Sequence, residues 1–400
     1  MERNQTASPT EAKAGNQPFT QTKSSHMRII HADPSHIPRY WSGRSHLDSQ
    51  SFTIDLQKLS KDLKQDIVDP TVSSSESLHF RSTHDTYLKL RNKMQDIFNR
   101  YGLLLLRANH TMQTYDEMAA LAGILFPNSM AYEGGSNYRG RLEKNVFDTG
   151  APSCANLHYH HEMAYVSEST KNLSFLCLEA PNRPEVGATF VSDNKRATEW
   201  LLTKPLGQKL KAKGLCYVRK LPDLEHFRDR DPSYVYNYWQ TSFRTEDPDE
   251  AYRLAKSKGL DVEWEASPEF GRYMVTKFYV SAFEYCPYSK LNLLYASVAD
   301  DSLWFDSWPG LMSMEHEARP LKLTFGDDEE LSKQEKVEFI EAYDKFGIPI
   351  FWEKGDIAIV CNYRFAHGRP SYSLQPGEKR ELGVILGETF KRKGPRIRAW

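Results

Sequence analysis

The sequence contains no apolar run close to the roughly 20 residues that a membrane-spanning helix needs, which excludes a transmembrane protein. Its first 25 residues are polar throughout and lack the apolar segment of a secretory signal. Basic and acidic side chains number 52 and 53, so neither charge prevails. Nothing therefore favours nucleic acid or an anionic membrane as a partner. We expect a cytoplasmic protein that binds a small molecule; its oligomeric state stays open, a homodimer included.

Cysteine is also scarce, and its placement excludes two further classes of protein. The five cysteines are scattered and none forms a CxxC pair. This argues against a disulfide framework and against a cysteine-based zinc site. We expect the cysteines to be small buried groups in a reducing compartment.

The remaining sequence indicates an α+β chain with many short strands. Residues 1–25 predict a disordered tail, and 26–400 a single domain. Helices are predicted over 84–100 and 114–126, from Pro248 to near Gly259, and after a Ser332–Glu335 capping box. Short strands of this number with few flanking helices favour a β-sandwich or barrel core. The predicted strands are 103–106, 173–178, 188–192, 215–219, 292–298, 356–361 and 382–387.

Histidine and acidic residues recur at a spacing that suits metal binding. On a strand, a His–x–Asp/Glu pair places both side chains on one face, because the side-chain period is two. A second histidine from elsewhere completes a 2-His-1-carboxylate set, which leaves coordination positions open for O2 chemistry. The sequence contains three such pairs, at His31-x-Asp33, His46-x-Asp48 and His160-x-Glu162.

The third pair lies in the segment LHYHHEMAY and is the best candidate. Strand alternation would put His158, His160 and Glu162 on one face and His161 on the other. We predict His160 and Glu162 as ligands and His161 pointing away. A His158/His160 pair stays open as an alternative. The first two pairs lie in a polar N-terminal region without further candidate ligands.

The C-terminal part supplies the missing histidine. In GDIAIVCNYRFAHGR, an alternating strand leads to a short loop that presents His367. Arg380 follows thirteen residues later, within another predicted strand. An arginine there can clamp the distal carboxylate of a dicarboxylic cosubstrate by a two-point hydrogen bond.

In order and spacing, these segments resemble the taurine dioxygenase-like (TauD/TfdA) Fe(II)/2-oxoglutarate oxygenases. The nearest resemblance is to the branch of the syringomycin-pathway aspartyl hydroxylase and the clavaminate synthase-like proteins. It runs from about residue 100 to 390. It rests on the segments EGGSNYRGRLEKNVFDTGAP, LHYHHEMAY, LSFLCLEAPNRPEVGATFVSDNKRATEWL, GLCYVRKLPD, YWQTSFRTEDPDEAYRLAKSKGLDVEW and FWEKGDIAIVCNYRFAHGRPSY.

The resemblance implies a double-stranded β-helix with flanking helices and a long insert at about 205–345. It implies Fe(II) as cofactor, with 2-oxoglutarate and O2 as cosubstrates. His160, Glu162 and His367 match the iron triad. Thr189, Arg380 and Asn362 match positions near the cosubstrate, and Arg139 or Arg141 an active-site arginine. The chain departs from the family at Val186-Gly187, usually Gly-Gly, and at Cys361, usually Asp.

The implied reaction is hydrogen abstraction from a C–H bond of a small molecule, with succinate and CO2 as co-products. An amino acid or an amino-acid-derived specialised metabolite is the expected substrate, and hydroxylation, desaturation or ring closure the outcome. Release of sulfite or a similar group from a small acid is the alternative. A zinc hydrolase using His158 and His160, or a non-catalytic barrel, is less favoured. Halogenation is disfavoured because Glu162 is present.

Candidate substrate residues are Asn156, Tyr159, Tyr165, Arg139 and Arg141, beside the aromatic residues Trp239 and Phe365.

Overall fold

The computed structural model describes most of the chain from residue 39 onwards, and these residues belong to one compact unit. The predicted tail at 1–25 and the residues His31, Asp33 and Arg139 lie outside the described ranges. No helix within those ranges is both long and apolar enough to cross a bilayer. The described ranges are 39–63, 84–108, 112–130, 140–149, 153–227, 237–268, 270–297, 319–392 and residue 394.

The described α-helices flank the sheets, and their ends follow local sequence signals. Thr114 and Ser332 each form a capping box with a glutamate three residues on. The predicted helix over 84–100 is confirmed, whereas the one over 114–126 ends early, at Ala122. The helices are α1 Leu56–Leu63, α2 His84–Tyr101, α3 Tyr115–Ala122, α4 Asn194–Leu202, α5 Pro205–Lys213, α6 Leu224–Phe227, α7 Trp239–Phe243, α8 Pro248–Ser257 and α9 Lys333–Asp344.

Nineteen strands lie within the described ranges, and most are short. The mixture of helices and sheets confirms the α+β class. The strands are β1 Thr53–Asp55, β2 Leu103–Arg107, β3 Arg141–Glu143, β4 Val146–Asp148, β5 Leu157–His160, β6 Glu168–Thr170, β7 Asn172–Glu179, β8 Thr189–Asp193, β9 Leu215–Leu221, β10 Asp261–Ser267, β11 Gly271–Val280, β12 Phe283–Cys286, β13 Leu291–Leu294, β14 Leu321–Phe325, β15 Gly347–Ile350, β16 Ile357–Cys361, β17 Phe365–Arg369, β18 Glu381–Leu386 and β19 Thr389–Lys391.

Two sheets share one apolar core. The larger has the order β1-β2-β16-β7-β18-β4-β3, and the smaller has the order β15-β8-β17-β5. Leu173 and Val384 of the larger sheet belong to the same buried cluster as Val191 and Phe365 of the smaller one. Along the chain, β5, β7 and β8, and later β15 to β18, alternate between the two sheets. The two sheets therefore pack face to face.

A separate antiparallel sheet, ordered β10-β11-β9-β14, lies within the predicted insert. One of its faces packs on the start of β5, since Tyr273, Val275 and Leu321 share a cluster with Ala155 and Leu157. The insert also contacts β5 at its other end, through a bridge between His160 and Ser297. The strand that bears the first candidate ligand is thus supported by both the core and the insert.

Candidate active site

Strand β5 ends at His160, one residue before the chain turns. Glu162 lies in that turn, and Met163 adopts a positive φ of 56°. The predicted alternation of His158, His160 and Glu162 on one strand face is therefore wrong, because the strand does not continue to Glu162. The turn nevertheless brings the Glu162 carboxylate back towards His160.

The sequence predicted that a short loop presents His367. In the structure, His367 lies within strand β17 instead. That strand pairs with β5 and β8, and His367 lies opposite His160 across the β5–β17 ladder. The two imidazole rings are 4.1 Å apart between centroids. One candidate ligand atom from each of His160, Glu162 and His367 lies within 4.8 Å of the other two. The structure therefore brings together the three side chains selected from the sequence.

The distances suit a shared metal ion better than direct contact. His367 Nε2 is 3.7 Å from Glu162 Oε2, which is too long for a hydrogen bond. Two donors each about 2.1 Å from one ion can be separated by that distance. Two imidazole nitrogens and one carboxylate are the donor set of non-haem iron sites. The residues present therefore fit an Fe(II) ion.

The two histidines are oriented by different means. His160 Nδ1 is 2.9 Å from the carbonyl oxygen of His158, which leaves Nε2 for a metal. His367 Nδ1 is buried without a hydrogen-bond partner among the described residues. Its ring is instead packed edge-on against Phe175, with centroids 5.2 Å apart. One ligand is thus fixed by a hydrogen bond and the other by packing.

Asn362, predicted to lie near the cosubstrate, is fully buried behind the iron site instead. Its side-chain oxygen accepts from the Glu162 backbone N–H at 2.9 Å. Its side-chain nitrogen donates to the carbonyl oxygens of Glu162 and Thr170. The amide is therefore occupied by the backbone on either side of the turn, and it does not line the cavity described below. This corrects the predicted contact with the cosubstrate.

The two neighbouring histidines stay outside the cluster. His158 is buried and contributes no atom to the three-residue group, so a His158/His160 metal pair has no support in the geometry. His161 is stacked on Tyr295 and hydrogen-bonded to the Ala296 backbone. Burial lowers the pKa of His161 to about 3, so its ring is neutral. As predicted, it points away from Glu162 and His367.

A cavity between the two sheets contains the three candidate ligands together with Thr189 and Arg380, two of the three predicted cosubstrate residues. Thr189 lies at the start of β8, and its hydroxyl oxygen accepts from Trp352 Nε1 at 3.0 Å. Because the oxygen already accepts a bond, the hydroxyl proton is directed elsewhere. The described lining residues are Thr149, Leu157, His160, Glu162, Phe175, Thr189, His367, Gly368, Arg369, Arg380 and Leu382.

Arg380 reaches this cavity from the segment before β18. Its Nε donates to the carbonyl oxygen of Gly187 at 2.8 Å, which fixes the side chain while leaving its terminal amino groups for a ligand. Gly187 has a φ of +67°, and a Cβ there would lie 2.4 Å from Arg380 Cδ. The glycine is therefore required both by the turn and by the close approach of Arg380.

Arg369 is a cavity residue that the sequence prediction missed. It is only 5% exposed and lies two residues after His367 on β17. Burial, with the nearby Arg380 charge, lowers the pKa of Arg369 to about 10. The spacing His367–x–Arg369 could have indicated this position, because two residues at that spacing on a strand direct their side chains towards the same face.

The predicted substrate residues within the described ranges lie elsewhere. Asn156 accepts from the Ser371 backbone N–H, and the Tyr159 hydroxyl donates to the Tyr40 carbonyl in the core. Tyr165 is buried beneath Arg219. These contacts are core packing and hydrogen bonds within the fold. The geometry therefore gives no support to the predicted role of these three residues in substrate binding. The same holds for Arg141, which is exposed and bonded to its own hairpin, and for Trp239 and Phe365, which are buried in packing.

The pair at His46 and Asp48 forms no metal site. His46 Nε2 is 2.9 Å from Asp193 Oδ2, and the Asp48 side chain accepts from the Gln50 backbone N–H. Neither joins a three-residue cluster among the described residues.

Comparison with known proteins assigns the family. The model of the taurine catabolism dioxygenase TauD, TfdA family matches residues 61–386. A clavaminate synthase-like protein of Arabidopsis thaliana is 26% identical over 60% of this chain and 69% of its own length. The dapdiamide synthesis protein DdaC of Enterobacter agglomerans is 22% identical over 81% and 95%. A taurine dioxygenase structure from Burkholderia xenovorans is 12% identical over 82% and 90%, with a TM-score of 0.42.

The chain belongs to the TauD/TfdA family, which confirms the resemblance drawn from its sequence. It is a non-haem Fe(II)/2-oxoglutarate-dependent dioxygenase that acts on a small molecule. Fe(II), 2-oxoglutarate and O2 are its cofactor and cosubstrates.

Proposed function

We propose that His160, Glu162 and His367 bind a single Fe(II) ion and that Thr189 and Arg380 bind 2-oxoglutarate beside it. The observation that supports this most is their convergence on one cavity between the two sheets. Glu162 and His367 are nearly fully buried, so the ligand atoms are shielded from bulk water. Bound iron and 2-oxoglutarate supply the oxidising chemistry with O2.

The protein's own contribution is orientation and the exclusion of water. The His158 carbonyl fixes the His160 ring, and Asn362 fixes the backbone of Glu162. The Thr189 hydroxyl and the terminal amino groups of Arg380 would donate to one carboxylate of 2-oxoglutarate, which their shared position in the cavity supports. Phe175 and Leu382 give the cavity an apolar wall, which strengthens these charged contacts.

The proposed fold is a double-stranded β-helix within a single domain over 26–400. The alternation of β5, β7, β8 and then β15 to β18 between two sheets supports it. The long insert at about 205–345 contributes its own four-stranded sheet, which supports β5 from outside the core. The iron site would then lie between the two sheets at the end of β5.

For the substrate we propose an amino acid or an amino-acid-derived specialised metabolite, oxidised at a C–H bond. Similarity to a dapdiamide synthesis protein along 95% of that protein's length supports a role in specialised metabolism. The reaction is hydroxylation or a related oxidation such as desaturation or ring closure. The alternative is a catabolic release of sulfite or a similar group from a small acid. The family description supports this alternative, because it names taurine catabolism.

Product analysis separates these outcomes. Iron-loaded protein is incubated with 2-oxoglutarate, O2 and a panel of amino acids, their derivatives and sulfonates, and succinate and products are measured by mass spectrometry. We expect succinate formation coupled to an amino-acid product that gains one oxygen atom or loses two hydrogens. The His367→Ala protein is the control and should form neither. Sulfite release would establish the alternative, and no turnover with any panel member would contradict the proposed substrate class.

A further inference from the structure

The segment that precedes the family match places one buried side chain against the strands of the proposed iron site. Tyr40 lies before residue 61, where the match to the family model begins, and it is only 2% exposed, whereas residues 42–46 are exposed. Its hydroxyl lies 2.9 Å from the carbonyl oxygen of Leu157 on β5 and 3.0 Å from that of Arg369 on β17. Burial raises the pKa of Tyr40 well above its usual value, so the hydroxyl keeps its proton and donates.

The hydroxyl donates at an irregularity in the β5–β17 ladder. At one end of it, Leu157 pairs with Arg369. At the other end, His160 pairs with His367. Two residues of β5 therefore lie opposite the single residue Gly368 of β17, which is the arrangement of a β-bulge. A bulge disrupts the ladder locally and redirects the side chains beside it, so the bulge affects how the two candidate histidine ligands face each other.

Two glycines of the smaller sheet make room for the tyrosine. A Cβ at Gly368 would lie 3.1 Å from Tyr40 Cε1 and 2.8 Å from the carbonyl oxygen of Leu157. A Cβ at Gly347, on β15, would lie 1.8 Å from the Tyr40 carbonyl oxygen. A larger residue at either position would displace Tyr40. The two glycines therefore form a slot that accommodates this residue beside the bulge.

The backbone of Tyr40 is fixed from both sides in a conformation that tyrosine rarely adopts. Its φ is +59°, in the left-handed region. The Asp344 carboxylate accepts from its N–H at 3.0 Å and from the N–H of Arg39 at 2.6 Å. Its carbonyl oxygen accepts from the Tyr159 hydroxyl at 2.5 Å. Such a backbone persists only where the surrounding contacts determine it, and it is most frequent at functional sites.

The bulge also contains the group that orients the first candidate ligand. Its two β5 residues are His158 and Tyr159. The carbonyl oxygen of His158 is 2.9 Å from His160 Nδ1, and Tyr159 is the residue that bonds to the Tyr40 backbone. The contacts of Tyr40 therefore hold the segment on which both the position of His160 and the orientation of its ring depend.

We propose that Tyr40 is a positioning residue of the iron site: it holds the bulge between β5 and β17 and thereby fixes His160 relative to His367. This rests on the proposed function of those two histidines. Tyr40 is not among the described lining residues of the cavity, so it acts through the two strands. Strands held in place before the metal arrives bind it more tightly, because less of the binding free energy is used to order the ligands.

Tyr40→Phe tests the proposal, because it removes the hydroxyl and keeps the ring. The full-length protein is titrated with Co(II), a probe whose visible d–d absorption depends on the coordination geometry. Denaturant unfolding of the metal-free protein is measured in parallel. We expect the Co(II) affinity to fall by about 10-fold, which corresponds to one net hydrogen bond. The absorption of the saturated site should also change, because its ligands are held less firmly.

Asp344→Asn gives a second and independent perturbation. It leaves the Tyr40 side chain intact but removes one of the two carboxylate oxygens that accept from Arg39 and Tyr40. The Co(II) affinity should fall in the same direction and by a smaller factor. Tyr279→Phe is the matched control, because this hydroxyl donates to Asp328 within the insert. That change should leave Co(II) affinity and absorption at the wild-type values.

Two results would overturn the inference. A Tyr40→Phe protein that loses stability but keeps wild-type Co(II) affinity and absorption would show a purely structural role. Equal losses of Co(II) affinity in Tyr40→Phe and Tyr279→Phe would contradict a specific role of the bulge. If His367→Ala binds Co(II) as tightly as wild type, the proposed iron site fails as well, which distinguishes the two failures.

Discussion

Asn362 shows how one buried side chain can hold the backbone of a proposed metal ligand. Its amide group accepts from the backbone nitrogen of Glu162 and donates to the backbone oxygen of the same residue. Glu162 lies in a turn rather than a strand, so no sheet hydrogen bonds fix its backbone. The asparagine holds the Glu162 N–H, while the hydroxyl groups of Ser169 and Tyr295 also donate to the Glu162 carbonyl oxygen. We regard Asn362 as a positioning residue.

Replacing Asn362 by alanine should therefore affect both iron binding and stability. Loss of the amide removes the acceptor of the buried Glu162 backbone N–H, at a cost of about 1–3 kcal/mol in the free energy of unfolding. Iron affinity should fall by about 10- to 100-fold, as is usual when the partner of a metal ligand is lost. Iron titration and denaturant unfolding measure the two effects.

Asn99→Ala is a suitable control for that experiment. Asn99 is exposed on α2, and its side-chain oxygen accepts a surface hydrogen bond from Gln95. Iron affinity should be unaffected by this change. If Asn362→Ala lowers stability while iron affinity stays at the wild-type value, the positioning role is wrong.

At the residue level, the sequence identified side-chain chemistry better than backbone geometry. The structure brings His160, Glu162 and His367 together as the sequence predicted, and their role as iron ligands stays a prediction. The argument for Glu162 assumed a continuous strand, and the positive φ of Met163 is a local feature that alternation does not reveal. Arg369 was missed because its burial depends on pairing with strands distant in sequence.

At the scale of elements, the segment between β7 and β8 controls the position of Arg380. Gly187 in that segment accepts the Arg380 Nε hydrogen bond through its carbonyl oxygen and has no Cβ to displace the side chain. The backbone conformation there is left-handed, which favours glycine. We therefore expect the segment between β7 and β8 to influence the affinity for 2-oxoglutarate through Arg380, which lies far away in the sequence.

Gly187→Ala should weaken 2-oxoglutarate binding by roughly 10-fold or more, because the new methyl group displaces Arg380 from its anchored position. Iron affinity should be retained, since none of the three metal ligands is touched. Anaerobic titration of the iron-loaded protein with 2-oxoglutarate measures the change.

Gly377→Ala controls for the backbone strain of that substitution. Gly377 also has a positive φ, +88°, but nothing lies within 4 Å of a Cβ placed there. The Gly377→Ala substitution should lower the free energy of unfolding without changing the affinity for 2-oxoglutarate. Equal effects of the two substitutions on 2-oxoglutarate binding would contradict the role given to Gly187.

Elements with simple local patterns were predicted well, inside the insert as well as outside it, whereas a strand defined mainly by its pairing was missed. The Ser332–Glu335 capping box and the apolar strands β7, β16 and β18 lie where the sequence placed them, within a few residues. The strand β10 was not predicted: it has almost no buried residue, and its charged alternation resembles a solvated segment. Its pairing with β11 is a tertiary contact that local pattern does not determine.

For the whole molecule, the proposed iron site joins the two halves of the chain. Glu162 and Asn362 are hydrogen-bonded although 200 residues separate them, and His160 lies opposite His367 across one ladder. Metal binding to the native state alone should therefore stabilise the entire domain, because the ligands come together only after folding. We propose that these three side chains form the iron site of this 2-oxoglutarate-dependent dioxygenase.

Anaerobic titration with Fe(II) and then 2-oxoglutarate tests this assignment of the iron ligands. We compare the wild-type protein with Glu162→Ala, His367→Ala and, as a matched control from the unused His-x-Asp pair, His46→Ala. We predict one iron per chain, a visible absorption band that needs both iron and 2-oxoglutarate, and loss of both in the first two variants but not in His46→Ala. Iron binding as tight as wild type in Glu162→Ala and His367→Ala would contradict the account.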